Sequence, residues 1–87
     1  MDRYERNHQI IDGELDDQQV MMHIDKGMYY GLNPIGKRIW DMLEKPKSFE
    51  EMTQTLLQEF EVSEQQCKKE VQEFLDDAIE KDILKKV

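Results

Sequence analysis

The sequence offers few side chains that could carry covalent or metal chemistry. Its one cysteine is Cys67, and its histidines are His8 and His23. A thiol nucleophile needs a base within hydrogen-bond reach, but Cys67 falls on the apolar side of a predicted helix and His23 falls in a predicted hairpin. No HxxxH, CxxC or HExxH spacing supplies zinc ligands. We therefore expect no enzyme, no metal and no cofactor, and we expect Cys67 to be a small buried hydrophobic side chain.

Carboxylates are densest in DGELDD, residues 12–17. This segment is superficially similar to the start of a calcium loop. It lacks the glycine at the sixth loop position and the closing glutamate in register. We expect a solvated turn.

Length and charge limit the possible functions. A chain of 87 residues has room for one core, so we expect a single domain over residues 1–87. Twenty acidic and twelve basic residues give a net charge of −8, which repels nucleic acids and anionic membranes and favours basic partners. No apolar run approaches the roughly 20 residues of a membrane span, and the N-terminus lacks a signal-peptide pattern. These features are typical of a cytoplasmic protein without membrane contact.

Two turn signals divide the first third of the chain, where residues alternate as in β-strands. Asp12-Gly13 is typical of a tight turn, and Gly27 can adopt the positive φ that a hairpin loop needs. We expect residues 19–25 to pair antiparallel with residues 28–32. In the first of these strands we expect one side to face the core, and the residues on that side are Val20, Met22 and Ile24.

The strand at residues 28–32 has the features of an open sheet edge. It carries neither charge nor proline, the usual protections against edge pairing, and Gly31 lets another backbone approach closely. An extended peptide could therefore add to this edge as a further strand. The alternative is a strand covered by one of the protein's own helices.

Local signals predict two helices after the hairpin. Asn33 before Pro34 is a good N-cap, and we expect a first helix over residues 34–44 with Trp40 as a core anchor. Ser48 followed by Glu51 is a capping box that predicts the start of a second helix.

A third helix is predicted over about residues 63–82, with Ser63 and Gln66 repeating the capping pattern. Its apolar residues spread over about 140° of the helical circumference, which is wider than one contact needs. The final ILKKV could form a short strand or a turn.

Strands followed by three helices indicate an α+β domain, and a β-ribbon beside three helices with short connections indicates a winged helix-turn-helix. Such folds often bind DNA through a helix. Here residues 63–82 hold seven carboxylates against three lysines, which would oppose phosphate contacts. A winged-helix DNA-binding transcription regulator is the alternative to peptide capture, and this charge disfavours it.

The segment GMYYGLNPIGKRIWDMLEKPKSFEEMTQTLLQEFEVS, residues 27–63, resembles the pyrroloquinoline quinone biosynthesis protein D family. Members of that family are the recognition elements for precursors of ribosomally made, post-translationally modified peptides. The YYGLN segment followed by Gly36 and Ile39-Trp40 is its most specific part, and the likeness extends over residues 9–84.

The resemblance implies an N-terminal three-stranded antiparallel sheet followed by three helices. It also implies that the leader of a precursor peptide adds to the third strand and lies against the third helix. The implied strand contacts are Met28, Tyr29, Tyr30, Gly31 and Leu32. The implied helix contacts are Cys67, Val71, Phe74, Leu75 and Ala78.

The resemblance further implies delivery of the precursor to a separate maturation enzyme or leader peptidase. The tyrosine-rich strand is most similar to the stand-alone lasso-peptide type, which works beside a leader peptidase and a macrolactam-forming cyclase. Members that serve pyrroloquinoline quinone or radical-enzyme pathways look similar, so the sequence leaves the pathway open.

Overall fold

The structure is a computed structural model that describes residues 2–87. The strands are β1 Arg3–Arg6, β2 Ile10–Leu15, β3 Gln18–His23, β4 Met28–Gly31, β5 Lys47–Ser48 and β6 Leu84–Lys86. The helices are α1 Pro34–Met42, α2 Phe49–Glu59 and α3 Glu64–Glu80.

The strands form two antiparallel sheets. The hairpin sheet has the order β2-β3-β4, so β4 lies at one edge. The terminal sheet has the order β5-β1-β6 and joins the two ends of the chain. The three-stranded sheet followed by three helices is as predicted. The terminal strand β6 was one of two expectations for the C-terminus, whereas β1 was not predicted.

The expected turn at Asp12-Gly13 is wrong, because both residues lie inside β2 opposite Met21 and Val20. The reversal occurs instead at Asp16 and Asp17, where φ is 52° and 66°. Positive φ at both central positions is the geometry of a type I′ two-residue loop, and aspartate tolerates that conformation better than most residues. The second turn is as predicted, with Gly27 at φ 62°.

The expected inward face of β3 is also wrong. Met21 and His23 are buried, whereas Ile24 is 61% exposed and Met22 only partly covered. Val20 is buried as well, but on the other face, between Gly13 and Gly31 in register. The register explains the reversal, because Met21 stands opposite Tyr30, which faces the helices.

The helix starts follow the predicted caps. The Asn33 side chain accepts the Gly36 N–H at 2.7 Å. Ser48 and Glu51 exchange both bonds of a capping box. Ser63 Oγ accepts the Gln66 N–H at 3.1 Å. These bonds satisfy N–H groups that have no partner within the helix.

Trp40 is fully buried in the core, as predicted. Arg6 of β1 stacks over its ring at 4.2 Å from the centroid and donates to the Trp40 carbonyl oxygen. The terminal sheet is therefore bound to α1 as well as to its own strands. On the other side of the core, α3 contributes Cys67, Val71, Leu75 and Ala78.

We predict that Leu75→Ala lowers the free energy of unfolding by about 2–5 kcal/mol, because Leu75 is fully buried and its loss leaves a cavity. The matched control is Leu15→Ala, at a side chain that is 49% exposed, and it should change stability by less than about 0.5 kcal/mol. Urea unfolding followed by circular dichroism measures both. Equal effects would contradict the placement of Leu75 in the core.

Candidate functional site

The outer edge of β4 carries unpaired backbone groups. The Leu32 N–H donates to the Gln19 carbonyl oxygen at 2.9 Å. Every second residue of an antiparallel strand bonds the same neighbour, so Tyr30 and Met28 also direct their backbone groups to β3. The N–H and C=O groups of Tyr29 and Gly31 consequently point away from the sheet. Within residues 2–87 no strand pairs with this side of β4. The edge can therefore accept an extended backbone.

A groove lies between β4 and the C-terminal half of α3. It holds a cavity of about 280 Å³. We call it the strand cavity, and its lining residues are Met21, Tyr29, Tyr30, Gly31, Phe74, Asp77, Ala78, Lys81 and Ile83. Met21, Phe74 and Ile83 give the cavity an apolar part beside the charged Asp77 and Lys81, and that part suits an apolar side chain projecting from a strand on the β4 edge.

One end of the groove is polar and cross-linked. Lys81 Nζ lies 2.8 Å from an Asp77 carboxylate oxygen and 4.9 Å from the centroid of the Tyr30 ring. Beside it, buried His23 accepts the Lys26 N–H at Nδ1, which leaves Nε2 to donate to Asp82 at 3.3 Å. These contacts hold the hairpin against the end of α3 and thereby fix the width of the groove.

A second cavity of about 360 Å³ continues the groove between α1 and α3. We call it the helix cavity, and its lining residues are Asn33, Ile35, Gly36, Ile39, Glu70, Glu73, Phe74 and Asp77. Phe74 and Asp77 border both cavities. A Cβ atom at Gly36 would lie 3.2 Å from the Phe74 ring, so α1 packs directly against that ring at the helix cavity.

The ten predicted peptide contacts are not equally accessible. Those that line the strand cavity are Tyr29, Tyr30, Gly31, Phe74 and Ala78. Met28 is exposed at the start of β4, and Leu32 is buried in the core. The side chains of Cys67, Val71 and Leu75 lie in the core and have almost no accessible surface. The assignment of all ten residues as peptide contacts stays a prediction. Tyr29, Tyr30, Gly31, Phe74 and Met28 have surface that a peptide can reach, whereas Ala78 lies at the inner wall of the strand cavity with 2% of its surface exposed.

Sequence reasoning missed the polar lining of the groove. Asp77 and Lys81 follow Phe74 along one side of α3, and Glu70 precedes it by four residues, a spacing that places side chains on one helix face. Counting only apolar residues on the helix left this stripe out. The helical spacing from Phe74 was the signal that could have identified it.

The outer face of the hairpin sheet is apolar and exposed. Ile11, Met22 and Tyr29 stand side by side across its three strands. Together with Ile24 and Met28 they surround a further cavity of about 220 Å³. Apolar patches of this kind on a small protein are typical of contact surfaces.

The residues that could carry other chemistry are dispersed. Burial raises the pKa of the Cys67 thiol, and the nearby Glu70 charge adds to that rise. Among residues 2–87 no group of three or more histidine, cysteine, aspartate or glutamate side chains could hold a metal ion. In the same range, no helix is both long and apolar enough to cross a membrane.

The sequence matches the family of Coenzyme PQQ synthesis protein D, PqqD, over residues 18–84. The chain belongs to the PqqD family. The match includes the hairpin from β3 onward, all three helices and the groove between β4 and α3. No curated protein matches the sequence.

Two solved structures resemble this PqqD-family chain along nearly its whole length. TbiB1 in complex with the TbiA(beta) leader peptide is 28% identical, with a TM-score of 0.81 and coverage of 93% of this chain and 94% of that one. A lasso peptide synthetase B1 complexed with the leader peptide is 20% identical, with a TM-score of 0.72 and coverage of 94% and 96%. The second likeness concerns the fold alone.

We predict that Cys67 of this PqqD-family protein reacts slowly with a chromogenic disulfide reagent in the native state. Its side chain is 2% exposed, and its raised thiol pKa reduces the reactive thiolate. The same reagent should react at once in urea. A Cys67→Ala/Tyr29→Cys variant supplies a matched exposed thiol and should react rapidly without urea. Rapid native labelling of Cys67 would place it at the groove surface, as the family resemblance implied.

Proposed function

We propose that this protein binds the leader region of a ribosomally synthesised precursor peptide and presents it to a separate modifying enzyme or leader peptidase. The observation that carries the proposal is the open edge of β4, with the outward backbone groups of Tyr29 and Gly31 directly beside the strand cavity. The leader adds to that edge as a fourth strand of the hairpin sheet. One of its apolar side chains enters the strand cavity.

The cavity matters because backbone pairing alone is a weak basis for affinity. Ordering a disordered segment costs about 2–5 kcal/mol of the gross interaction energy. The main-chain hydrogen bonds replace bonds that both partners already made with water, so their net gain is small. A buried apolar anchor against Phe74 and Ala78 supplies the remaining affinity and distinguishes one leader from another.

The comparisons support this assignment. TbiB1, which is 28% identical to this chain, was solved in complex with a leader peptide. The lasso peptide synthetase B1 has the same fold, and its structure also contains a leader peptide. We infer that the protein is of the stand-alone lasso-peptide type and works beside a leader peptidase and a cyclase. We also infer that it binds and positions the precursor without catalysing a reaction.

Presentation to an enzyme requires a surface that the leader leaves uncovered. A strand on β4 covers the edge and the groove, whereas the outer face of the hairpin sheet stays open. Ile11 and Ile24 on that face are 47% and 61% exposed. We propose this outer face as the contact with the partner enzyme.

DNA binding has little support from the charge distribution. The accessible side of α3 along the groove carries Glu70, Glu73 and Asp77, and Lys81 at the end of this side is paired with Asp77. Phosphate groups would meet like charge there. A DNA duplex is therefore the control ligand for the experiments below.

We predict that Gly31→Pro lowers leader affinity by at least tenfold, because proline removes an N–H that points to the incoming strand. The probe is the fluorescently labelled leader of the precursor peptide encoded nearest this gene, measured by anisotropy. A scrambled leader and a DNA duplex should not bind.

Gly31→Ala is the matched control. It keeps the N–H, and φ of Gly31 is not positive, so alanine fits the backbone. Its Cβ atom would lie 2.7 Å from the Gln18 side-chain amide, which is flexible enough to move. Binding should stay within a few-fold of the wild type. If Gly31→Pro folds and binds as well as Gly31→Ala, strand addition at this edge is refuted.

A further inference from the structure

The groove extends beyond the end of β4 in the direction that an added strand would follow. β4 ends at Gly31, and α1 begins at Pro34 beside the helix cavity. The helix cavity adjoins the strand cavity through Phe74 and Asp77. A leader that pairs with β4 and continues past Gly31 therefore passes over the helix cavity.

The lining of the helix cavity is amphipathic. Ile35 and Phe74 supply an apolar surface above the buried Ile39, and Glu70, Glu73 and Asp77 supply carboxylates. A lysine or arginine side chain has the complementary form, since an apolar stem ends in a cationic head. An apolar side chain would fill the same space but would take the carboxylates out of water without a partner.

Two of these carboxylates lack a cationic partner. Asp77 is paired with Lys81, but across residues 2–87 no cationic nitrogen lies within 4.0 Å of the Glu70 or Glu73 carboxylate. One Glu70 oxygen accepts the Gln66 side-chain N–H at 3.2 Å. The other is buried and accepts no hydrogen bond. Buried acceptors are normally satisfied, so the Glu70 carboxylate has capacity for a further donor.

We propose that the helix cavity receives a lysine or arginine side chain of the leader, held by Glu70 and Glu73. The inference rests on the proposed function, since the leader must lie along β4 to reach the cavity. It defines the class of peptide that the protein selects. That peptide has an apolar residue over the strand cavity and, further along in the direction of α1, a basic residue over the helix cavity.

Selection from a phage-displayed library of random peptides tests the preference directly and does not require the sequence of the leader. It is done in parallel on the wild type, on Glu70→Gln/Glu73→Gln and on Asp76→Asn/Glu80→Gln. The last variant is the matched control. It removes two charges from the same helix, and its carboxylates are exposed and outside both cavities.

The wild type and the control should enrich peptides with lysine or arginine at one fixed spacing from an apolar position. Glu70→Gln/Glu73→Gln should lose the basic preference and keep the apolar one. A peptide selected on the wild type should bind that variant about tenfold more weakly by anisotropy, as expected for the loss of charge-assisted hydrogen bonds.

Two results would overturn the inference while leaving the proposed function intact. One is selection of apolar positions with no basic position. The other is a basic preference that Glu70→Gln/Glu73→Gln retains, or that the control loses equally, which would indicate long-range attraction. If no peptide is enriched, or if enriched peptides bind Gly31→Pro as tightly as the wild type, the proposed function fails and the inference fails with it.

Discussion

The register of the hairpin between β3 and β4 is the constraint on which the groove depends. Met21 lies opposite Tyr30, and paired residues share a face of the sheet. Tyr30 therefore lies on the same face as the buried Met21 and points toward α3. A slip of one residue would move every side chain of β4 to the other face. The same register decides that Tyr29 and Gly31, and not Tyr30, direct their backbone groups outward. One pairing therefore determines both the lining of the cavity and the hydrogen bonds of the edge.

The third helix serves two surfaces, which accounts for its wide apolar arc. Cys67, Val71 and Leu75 recur every fourth residue and face the core, with Ala78 at the border. The adjacent stripe contains Glu70, Phe74, Asp77 and Lys81 and faces the groove. Only Phe74 is strongly apolar in that second stripe. The helix thus contributes most of its core packing through one set of positions and lines the groove with the neighbouring set.

Local signals predicted the elements well where the cause is local. The caps at Asn33, Ser48 and Ser63 fix helix starts through bonds within three residues, and Gly27 fixes a turn through its own φ. The open edge was also predictable, because residues 28–32 lack the charges and prolines that block edges. These features depend on short stretches of chain and on simple composition.

The errors arise where distant residues decide the outcome. β1 has one buried apolar residue, Tyr4, and exists because β5 and β6 pair with it from far along the chain. Both faces of β3 are apolar enough to be core, so alternation alone could not choose between Met21 and Met22. The sequence pattern predicted the turn at Asp12-Gly13, although Asp16-Asp17 also has residues suited to a turn. Only the register of β2 with β3 decides that the chain reverses at the second pair. The carboxylates of the groove were missed because sequence reasoning counted them only as net charge that opposes DNA, and placed only apolar residues in the groove.

An open strand edge beside an exposed apolar face invites self-association, and the charge of the protein opposes it. A second copy that approaches the edge also carries a net charge of −8 and is repelled, most strongly at low salt. The edge is only four residues long, which further limits pairing between copies. A cationic leader, in contrast, is attracted electrostatically to the same acidic surface. The acidic composition therefore disfavours pairing of the edge with another copy of the chain and favours a basic peptide.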